Sequence, residues 1–342
     1  MNIKKELFGK LKTGEEVYKY SLKNKFLKIG ILNYGGIIAE LYMPDKNGYT
    51  ENIVLGFDNL NDYEAKSPYF GCITGRHAGR IKNATFSIGN TTYTLDKNDG
   101  ANNLHGGYFG MDKKLWDVKI LDSGLELSYF SPHLEGGFPA DLNIKVRYIL
   151  NEDILKIQYE AIPDRETIVN LTNHTYFNLS GGRETIEGHK LFIDSDYFME
   201  LTSDSIVTGN KLKVENTPFD FKKMKDVGRD IDKDFNQLKL AGGYDHPFVL
   251  NPSEQPQIVL CHLDSGRKIE INTTEETVVF YSGNYLKDEG LLNNNIESKQ
   301  HLGLCLETQQ IPNKVNLPEY SYKFYSKENI YKSETKYRFS LV

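Results

Sequence analysis

Hydrophobic and polar residues alternate along much of the chain, and a period of two is typical of strands that bury one face. The segment "LNIKVRYIL" (142–150) is a clear example, with an apolar or aromatic side chain at every second position from Leu142. After "NED", the segment "ILKIQYEA" keeps the same period from Leu155 to Ala161. Two such segments joined by a short polar turn predict an antiparallel hairpin.

A second hairpin is predicted over "ATFSIGNTTYTL" (84–95), where Gly-Asn supplies the two-residue turn that such hairpins prefer. Pairing across this turn places Phe86 opposite Tyr93. On the same face, Ala84 comes opposite Leu95.

Helical periodicity is scarce and is confined to "LNDYEAKS" (60–67) and "DFNQLKL" (near 234–240), each of which predicts a short helical segment. Turn-rich stretches separate the strand patterns, and no repeat or linker-like stretch divides the chain. The pattern therefore predicts an all-β protein, mainly antiparallel, built as one large β-sandwich domain over residues 1–342.

Composition and charge narrow the class of protein. Hydrophobic residues make up 39% of the chain, as in ordinary globular proteins, and 22 Tyr with 18 Phe favour strands over disorder. The net charge is −6 without any dense run of Lys and Arg, so we expect no nucleic-acid partner. No apolar run approaches the length that spans a bilayer, so we expect no membrane partner.

The N-terminal residues and the cysteines indicate the cellular compartment in which the protein is located. The first residues lack the apolar run of a signal peptide, which predicts a cytoplasmic protein. Cys72, Cys261 and Cys305 form no paired motif and are odd in number, which favours reduced thiols. We expect them to be buried as small hydrophobic side chains.

In "NLTNHTYFNL" (170–179) a histidine stands within a strand-like pattern. Leu171, Phe177 and Leu179 fall on one face of a strand, whereas His174 falls on the other face with polar residues. His174 is therefore predicted to point away from the core. The pattern leaves two interpretations open, a histidine that faces solvent or one that lines a polar groove, and the first is the commoner because most sheets have one wet face.

A carboxylate occupies a similar position in "LGLCLETQQIP" (302–312). The alternation divides this segment into two faces, with Leu302, Leu304 and Leu306 on one and Gly303, Cys305 and Glu307 on the other. Small side chains beside Glu307 leave room for a ligand to approach it. A carboxylate on a solvated face is an equally good interpretation.

Three further segments place polar residues beside or near glycine. His105 precedes two glycines in "NNLHGG", where a turn residue is the alternative to a binding residue. In "GGYDHPF", Asp245 and His246 would point to opposite sides of an extended chain, so only one can meet a ligand, although a loop aspartate bonded to its own backbone is commoner. "GRHAGR" offers Arg76 and Arg80, which could pair with surface acids or donate to hydroxyls, and we favour Arg76.

The sequence lacks the motifs of several common kinds of binding and catalytic site. HExxH and paired-cysteine patterns are absent, which argues against a metal site, and the glycine-rich nucleotide motifs and GxSxG are absent too. A His, a Glu, an Asp and an Arg remain. This set suits proton transfer on a polyhydroxylated ligand.

Taken in order, the same segments resemble the aldose 1-epimerase family, whose members are also called galactose mutarotases. The matching stretches are "ITGRHAGRI", "NNLHGG", "EGGFPADLNIKVRYIL", "LTNHTYFNLSG", "TPFDF", "GGYDHPF", "FYSGNYL" and "LETQQIPNKVN". The resemblance implies a β-sandwich of the galactose mutarotase type, no metal or organic cofactor, and interconversion of the α and β anomers of a free hexose. A small-molecule hexose is then the expected partner, and a monomer or homodimer is the expected assembly.

Carried over position by position, the resemblance implies that His174 is the general acid and Glu307 the general base. It implies that His105, Asp245 and Arg76 bind sugar hydroxyls. We expect His174 to be protonated when the sugar binds, because an imidazole titrates near neutrality.

The chain departs from the family pattern at two positions. The first motif usually reads GRxANRI, and Gly79 stands here in place of its asparagine, which puts in doubt one polar contact near Arg76. The family's GFPG is GFPA here, so Ala140 is expected to alter only a turn. Tyr281 and Phe248 are weaker candidates for packing against the sugar, since core or rim packing is the commoner role.

Three other functions compete with this interpretation. A non-catalytic sugar-binding or sensing module would not need both His174 and Glu307. An epimerase for phosphorylated hexoses would want additional cationic residues for the phosphate. A glycoside hydrolase normally needs two carboxylates across the scissile bond, which a His and Glu pair fits poorly.

Overall fold

Strands dominate the computed structural model, which describes residues 2–342. Its two α-helices, α1 (Leu60–Lys66) and α2 (Asn236–Ala241), coincide with the two helical segments predicted from the sequence. The Asn59 side chain caps α1 by accepting a hydrogen bond from the Asp62 backbone amide at 3.0 Å. Neither these helices nor any other helical stretch in the described part of the chain has the length and apolar character needed to span a bilayer.

The regular elements are mostly short. The strands are β1 (Asn2–Lys10), β2 (Glu16–Lys23), β3 (Lys28–Leu32), β4 (Ile38–Pro44), β5 (Thr50–Asn52), β6 (Ile73–Thr74), β7 (Arg80–Ile81), β8 (Thr85–Ile88), β9 (Thr91–Thr94), β10 (Asn103–Leu104), β11 (Asp117–Leu121), β12 (Gly124–Ser131), β13 (Leu142–Asn151), β14 (Ile154–Pro163), β15 (Thr172–Asn173), β16 (Tyr176–Phe177), β17 (Lys190–Ile193), β18 (Ser195–Leu201), β19 (Val207–Lys213), β20 (Lys225–Asp226), β21 (Asp245–Leu250), β22 (Ile258–His262), β23 (Arg267–Thr273), β24 (Thr277–Tyr281), β25 (Leu291–Leu292), β26 (Ile296–Glu297), β27 (Leu304–Gln309) and β28 (Tyr331–Leu341). Short 3-10 helices lie at Lys82–Ala84, Gly107–Phe109, Met111–Lys113, Glu135–Gly137, Ile186–Gly188, Val227–Arg229, Asn293–Asn295 and Lys314–Asn316.

Pairing joins these strands into three large sheets. In spatial order they are a five-stranded sheet β1-β2-β3-β4-β5, a nine-stranded sheet β11-β12-β13-β14-β28-β23-β22-β17-β20 and a six-stranded sheet β16-β27-β24-β21-β18-β19. Four two-stranded ribbons, β7-β10, β6-β15, β8-β9 and β25-β26, complete the pairing. The strands of the nine- and six-stranded sheets pair antiparallel, so the prediction of an all-β, mainly antiparallel protein is confirmed.

One hydrophobic cluster is shared by the three large sheets. It includes Ile29 from the five-stranded sheet, Val146 and Ile157 from the nine-stranded sheet, and Phe280 and Leu304 from the six-stranded sheet. Burial of each side chain of this size contributes about 1.5–3 kcal/mol. The layers are therefore held together by a common apolar core, which is the arrangement of a sandwich.

Both predicted hairpins are confirmed. β13 and β14 pair antiparallel, with Leu150 opposite Leu155 next to the turn. In β8 and β9, Phe86 is opposite Tyr93. The pairing extends beyond these strands as predicted, because the Leu95 amide donates to the Ala84 carbonyl at 2.7 Å.

The segment 170–179 differs from the continuous strand expected from its alternation. It forms only β15 and β16, which pair with different strands, β6 and β27, so the chain changes partners at His174. The backbone of His174 remains bonded, since its amide donates to the Cys72 carbonyl at 2.8 Å and its carbonyl accepts from the Gly71 amide at 3.0 Å. The expected wet face is covered, and His174 is only 6% exposed.

A close approach between two backbone segments occurs at Gly106, directly after His105. Gly106 has a φ of +92°, and a β-carbon there would lie 1.8 Å from the carbonyl oxygen of Gly75. Only glycine fits such a position, because any side chain would have to displace a backbone atom.

We expect Gly106→Ala to lower the free energy of unfolding by on the order of 3 kcal/mol, because the new methyl group must push the Gly75 backbone away. Gly100→Ala is the matched control: Gly100 also has a positive φ, +60°, but no atom lies within 4 Å of its β-carbon position. That variant should lose only about 1 kcal/mol from left-handed strain. Urea denaturation measures both losses, and equal losses would contradict the role of the Gly75 contact.

Candidate active site

A pocket opens on the face of the six-stranded sheet that points away from the shared core. Its cavity volume is about 230 Å³, which is room for a small molecule. Its polar and aromatic lining residues are Tyr69, Arg80, His105, His174, Tyr176, Ser205, Asp245, Tyr281, Tyr285, Glu307 and Gln309. The other lining residues are Pro68, Gly79, Leu104, Leu201, Val207, Pro247, Val279 and Pro312. The pocket thus brings together four of the five predicted site residues.

Glu307 enters the pocket from β27. The alternation of the strand sends Leu304 and Leu306 into the hydrophobic core and Glu307 to the opposite side, as predicted. The direct neighbour of Glu307 on β24 is Val279, which also lines the pocket. Glu307 is only 3% exposed, so its carboxylate contacts little water.

His174 faces Glu307 from the break between β15 and β16. Its Nε2 lies 3.5 Å from Oε1 of Glu307. The imidazole stacks between two aromatic rings, with centroid distances of 5.7 Å to Tyr69 and 5.1 Å to Tyr176. These contacts fix the plane of the ring and aim Nε2 at the carboxylate.

His105 is held by reciprocal bonds with Gly79. The His105 amide donates to the Gly79 carbonyl at 3.2 Å, and the Gly79 amide donates to His105 Nδ1 at 3.2 Å. Because Nδ1 accepts a hydrogen bond, the proton of the neutral ring lies on Nε2. His105 can therefore donate a hydrogen bond through Nε2.

Asp245 lines the pocket at the start of β21, whereas the neighbouring His246 does not. Asp245 pairs across the sheet with Tyr281 of β24. His246 points to the other side, is fully buried, and its Nε2 lies 3.1 Å from the Gln237 side-chain oxygen. The expectation that the two neighbours point to opposite sides is confirmed, and only Asp245 faces the pocket.

Arg76 is the predicted site residue that the structure does not bring into the pocket. Its guanidinium is only 2% exposed and donates five hydrogen bonds of 2.8–2.9 Å. The acceptors are the Ser131 hydroxyl and the backbone carbonyls of Ser131, Pro132, Pro139 and Ala140. Arg76 therefore ties together the two ends of the loop between β12 and β13, and we correct its expected role to a structural one.

Arg80 occupies the place in the pocket that was expected for Arg76. It lies on β7 opposite Leu104 of β10, directly before His105. Its Nε donates to Asp99 at 2.7 Å. The two arginines of "GRHAGR" are four positions apart, and nothing in their sequence neighbourhood distinguishes the buried one from the pocket one.

Burial shifts the pKa values of Glu307 and His174 in opposite directions. It raises the pKa of Glu307 well above its ordinary value, the charge of Asp245 raises it further, and Arg80 opposes these effects. Burial lowers the pKa of His174 to about 4. Both shifts favour uncharged forms. His174 is thus neutral near pH 7 in the free protein, in contrast to the near-neutral titration expected from the sequence.

The pKa values of Asp245 and His105 are also shifted toward the uncharged forms. Burial raises the pKa of Asp245 to about 6, and the nearby Arg80 partly opposes this shift. Burial lowers the pKa of His105 well below its ordinary value, and the positive form of His174 lowers it further. Burial therefore disfavours the charged forms of Glu307, Asp245, His174 and His105.

The donor atoms of His105, His174 and Glu307 all lie within 4.8 Å of one another, which is close enough for a metal ion. The protonation of His105, however, does not suit metal binding. The Gly79 amide occupies the lone pair of His105 Nδ1, so Nε2 carries the proton and has no lone pair to offer. A second group, Glu184, His262 and Asp264, lies outside the pocket, and His262 Nε2 is already 2.6 Å from Glu184.

Two aromatic candidates from the sequence remain to be placed, and Tyr69 and Val279 are examples of pocket residues that the sequence did not single out. Tyr281 lines the pocket, whereas Phe248 is fully buried in the shared core. Tyr69 was not foreseen, because it lies in a loop without a periodic pattern. Val279 could have been found, since it alternates with Tyr281 along "TVVFY".

The two departures from the family motifs have local explanations. A β-carbon at Gly79 would lie 2.7 Å from Cβ of Pro312, another pocket residue. Ala140 has a φ of +75°, so its change does fall in a turn, where glycine would be less strained. Its carbonyl accepts one of the Arg76 hydrogen bonds.

Known proteins are similar to this chain in both sequence and fold. Residues 18–338 match the sequence model of a family described as aldose 1-epimerase. The galactose mutarotase of Sus scrofa is 38% identical over 326 residues, which cover 94% of this chain and 93% of that protein. The aldose 1-epimerase of Escherichia coli K12 is 31% identical over 324 residues, 92% of this chain and 93% of that one. The crystal structure of galactose 1-epimerase from Lactobacillus acidophilus superimposes with a TM-score of 0.88 at 28% identity, covering 99% of each chain.

We expect Arg76→Ala to lower the free energy of unfolding by on the order of 3 kcal/mol, because three buried carbonyl oxygens and a partly buried one lose a charged donor. Arg80→Ala is the control, since that side chain is partly exposed and its pairing with Asp99 should contribute no more than about 1 kcal/mol. Differential scanning calorimetry compares the two. An Arg76→Ala protein as stable as the parent would contradict the structural role.

Proposed function

The chain belongs to the aldose 1-epimerase family, and from this premise we propose that its pocket binds a free hexose, galactose or glucose, and interconverts the α and β anomers. The proposal depends chiefly on the buried pair of His174 and Glu307, whose Nε2 and Oε1 atoms are 3.5 Å apart. A binding module that only held the sugar would gain nothing from placing an acid and a base side by side in a poorly solvated wall.

Ring opening requires two proton transfers around one carbon atom. A base takes the proton of the anomeric hydroxyl while an acid gives a proton to the ring oxygen. Both oxygens are bonded to C1, so an acid and a base that lie close together can reach both. We assign Glu307 as the base and His174 as the acid. After rotation about the C1–C2 bond, the hydroxyl attacks the other face of the carbonyl, and the two residues act in reversed roles.

The shifted pKa values suit these roles. A carboxylate with a raised pKa binds a proton more strongly, and an imidazolium with a lowered pKa releases its proton more readily. The reactive form of the pair has Glu307 ionised and His174 protonated. Transfer of one proton across the 3.5 Å gap converts the uncharged form into this reactive form.

We assign recognition of the sugar hydroxyls to His105, Asp245 and Arg80. His105 donates through Nε2, because its Nδ1 already accepts the Gly79 amide. Asp245, when ionised, accepts hydrogen bonds, and Arg80 donates them. The aromatic rings in the pocket wall offer flat apolar surfaces to the C–H groups of a sugar.

A phosphorylated hexose suits this pocket less well than a free one. Arg80 is the one Lys or Arg among the described residues that line it, and its Nε is already engaged by Asp99. The carboxylates of Glu307 and Asp245 would repel a phosphate. The preference we propose is therefore for an uncharged sugar.

We also propose that the protein works in the cytoplasm. Cys72, Cys261 and Cys305 are free and buried, as the sequence predicted. Free thiols persist in reducing compartments, which agrees with this location.

We expect Glu307→Gln to lower kcat by on the order of 10² to 10⁴, because the amide keeps the size of the side chain but cannot accept a proton. Polarimetry with freshly dissolved α-galactose or α-glucose measures the rate after subtraction of spontaneous mutarotation. Sugar affinity, measured by calorimetry, should change by no more than about tenfold.

Glu275→Gln is the matched control, because Glu275 is a carboxyl outside the pocket whose pKa burial also raises and which accepts a hydrogen bond from Tyr331. It should keep the rate of the parent. His174→Gln should lose about as much as Glu307→Gln, and the double variant little more, because the two groups act in one step. Near-normal turnover in Glu307→Gln would show that another residue is the base.

The pH dependence of kcat should reflect the proton that the pair shares. Activity needs one proton on the pair, so kcat falls when the pair loses it at high pH and when it gains a second one at low pH. The raised pKa of Glu307 governs the alkaline side. Because the negative charge of Asp245 raises that pKa, we expect Asp245→Asn to move the alkaline limb to lower pH.

The measurement is kcat at saturating sugar across acidic and alkaline pH, so that weaker binding in the variant does not distort the profile. Asp234→Asn is the control, because that side chain is 88% exposed and lies outside the pocket. An alkaline limb that stays in place in Asp245→Asn would contradict the assignment of this limb to Glu307.

A further inference from the structure

Cys305 lies against the imidazole nitrogen of His174 that does not face Glu307. Its Sγ is 3.4 Å from Nδ1, while Nε2 is 3.5 Å from Glu307 Oε1. Cys305 is fully buried and is not among the described residues that line the pocket. The thiol therefore touches the proposed acid without touching the space that the sugar would occupy.

The strand pairing produces this contact. Cys305 precedes Glu307 by two residues on β27, so both side chains emerge on the same side of the strand. Cys305 is also directly opposite Tyr176 of β16, just after His174 in the chain. One strand thus brings a partner to each nitrogen of the His174 ring.

Stacking alone does not decide which nitrogen carries the proton. Tyr69 and Tyr176 hold the plane of the His174 ring, but a ring face interacts equally with both tautomers. The choice between tautomers depends on the groups in the ring plane, which are Glu307 at Nε2 and Cys305 at Nδ1.

Those two groups require opposite hydrogen-bonding roles of the two nitrogens in the neutral ring. An ionised carboxylate only accepts hydrogen bonds, so Nε2 must donate when Glu307 is ionised. When the pair is uncharged, Glu307 carries the proton and donates it in a hydrogen bond to Nε2, so the proton of the neutral ring lies on Nδ1 and the Cys305 sulfur can accept a hydrogen bond from it. Burial raises the pKa of the Cys305 thiol well above its ordinary value, so the thiol keeps its own proton. When the ring becomes an imidazolium, Nδ1 donates and the sulfur can accept.

We propose that Cys305 is a positioning residue for His174: its sulfur accepts a hydrogen bond from Nδ1–H, so that Nδ1 keeps its proton and Nε2 is the nitrogen that exchanges a proton with Glu307 and the sugar. The inference rests on the proposed function of the pair. Cys305 itself neither gains nor loses a proton during the reaction. It serves both protonation states of His174 because Nδ1 carries a proton in both and sulfur is a weak acceptor, whereas a methyl group is not.

The test compares Cys305→Ala and Cys305→Ser with Cys261→Ala, the same truncation at a buried thiol away from the pocket. In Cys305→Ala we expect kcat to fall about tenfold with KM within about twofold, because part of the protein then holds the ring proton on Nε2, where it blocks transfer from Glu307. Serine keeps a donor and an acceptor and should recover most of the rate. Cys261→Ala should match the parent.

The direct readout is the ¹⁵N NMR signal of the His174 ring, recorded near pH 7, where the pair holds one proton and the ring is neutral. The parent and Cys305→Ser should show Nδ1–H alone, and Cys305→Ala should show a mixture of both tautomers. An unchanged tautomer in Cys305→Ala overturns the proposal, even if kcat falls, because the loss would then come from packing.

The two readouts also separate this proposal from the proposed function. If the parent protein had no mutarotase activity on either hexose, the function would be refuted, yet the tautomer of His174 in Cys305→Ala would still decide what Cys305 does. A mixed tautomer in Cys305→Ala together with unchanged kcat would overturn the link between the thiol and the reaction.

Discussion

The rest of the site depends on placing two ionisable side chains, Glu307 and His174, 3.5 Å apart in a wall where both are almost fully buried. Removing such groups from water is costly unless neighbouring groups compensate. The pair responds by shifting toward uncharged forms, which leaves a strong base and a strong acid once one proton crosses between them. The reactivity proposed for the site is therefore a consequence of its burial, and a more solvated pair would lose it.

Holding this pair requires backbone conformations that are unfavourable in isolation. Tyr69 and His105 both have positive φ, +67° and +53°, although neither is glycine. Such residues each cost about 1–3 kcal/mol and persist only where surrounding contacts determine them. His105 is fixed by its two bonds with Gly79, and Tyr69 by its packing on both histidines. Both pocket residues are thus held in place by contacts within the site, while the shared core of the three sheets stabilises the whole.

Much of the fold followed from the sequence alone. The alternation predicted both hairpins, and for the hairpin over 84–95 also its register, because side chains on a strand must point to opposite faces whatever else the chain does. It also placed Glu307 on the face opposite Leu304 and Leu306, and it required that Asp245 and His246 separate. The family motifs then identified His174, Glu307, His105 and Asp245 as site residues, and all four do line one pocket.

The sequence did not determine how residues far apart in the chain meet. Local pattern suggested a solvent-facing His174, but β6, β27 and the loop carrying Tyr69 cover it. Arg76 and Arg80 have similar neighbours in sequence. In the folded protein the loop between β12 and β13 supplies the carbonyl oxygens that bind the Arg76 guanidinium, and Arg80 lines the pocket instead. The pKa values, the protonated nitrogen of each histidine and the contact of Cys305 with His174 depend on the same long-range packing. Alternation records which face a side chain takes, whereas burial and hydrogen-bond partners come from segments that the local sequence does not contain.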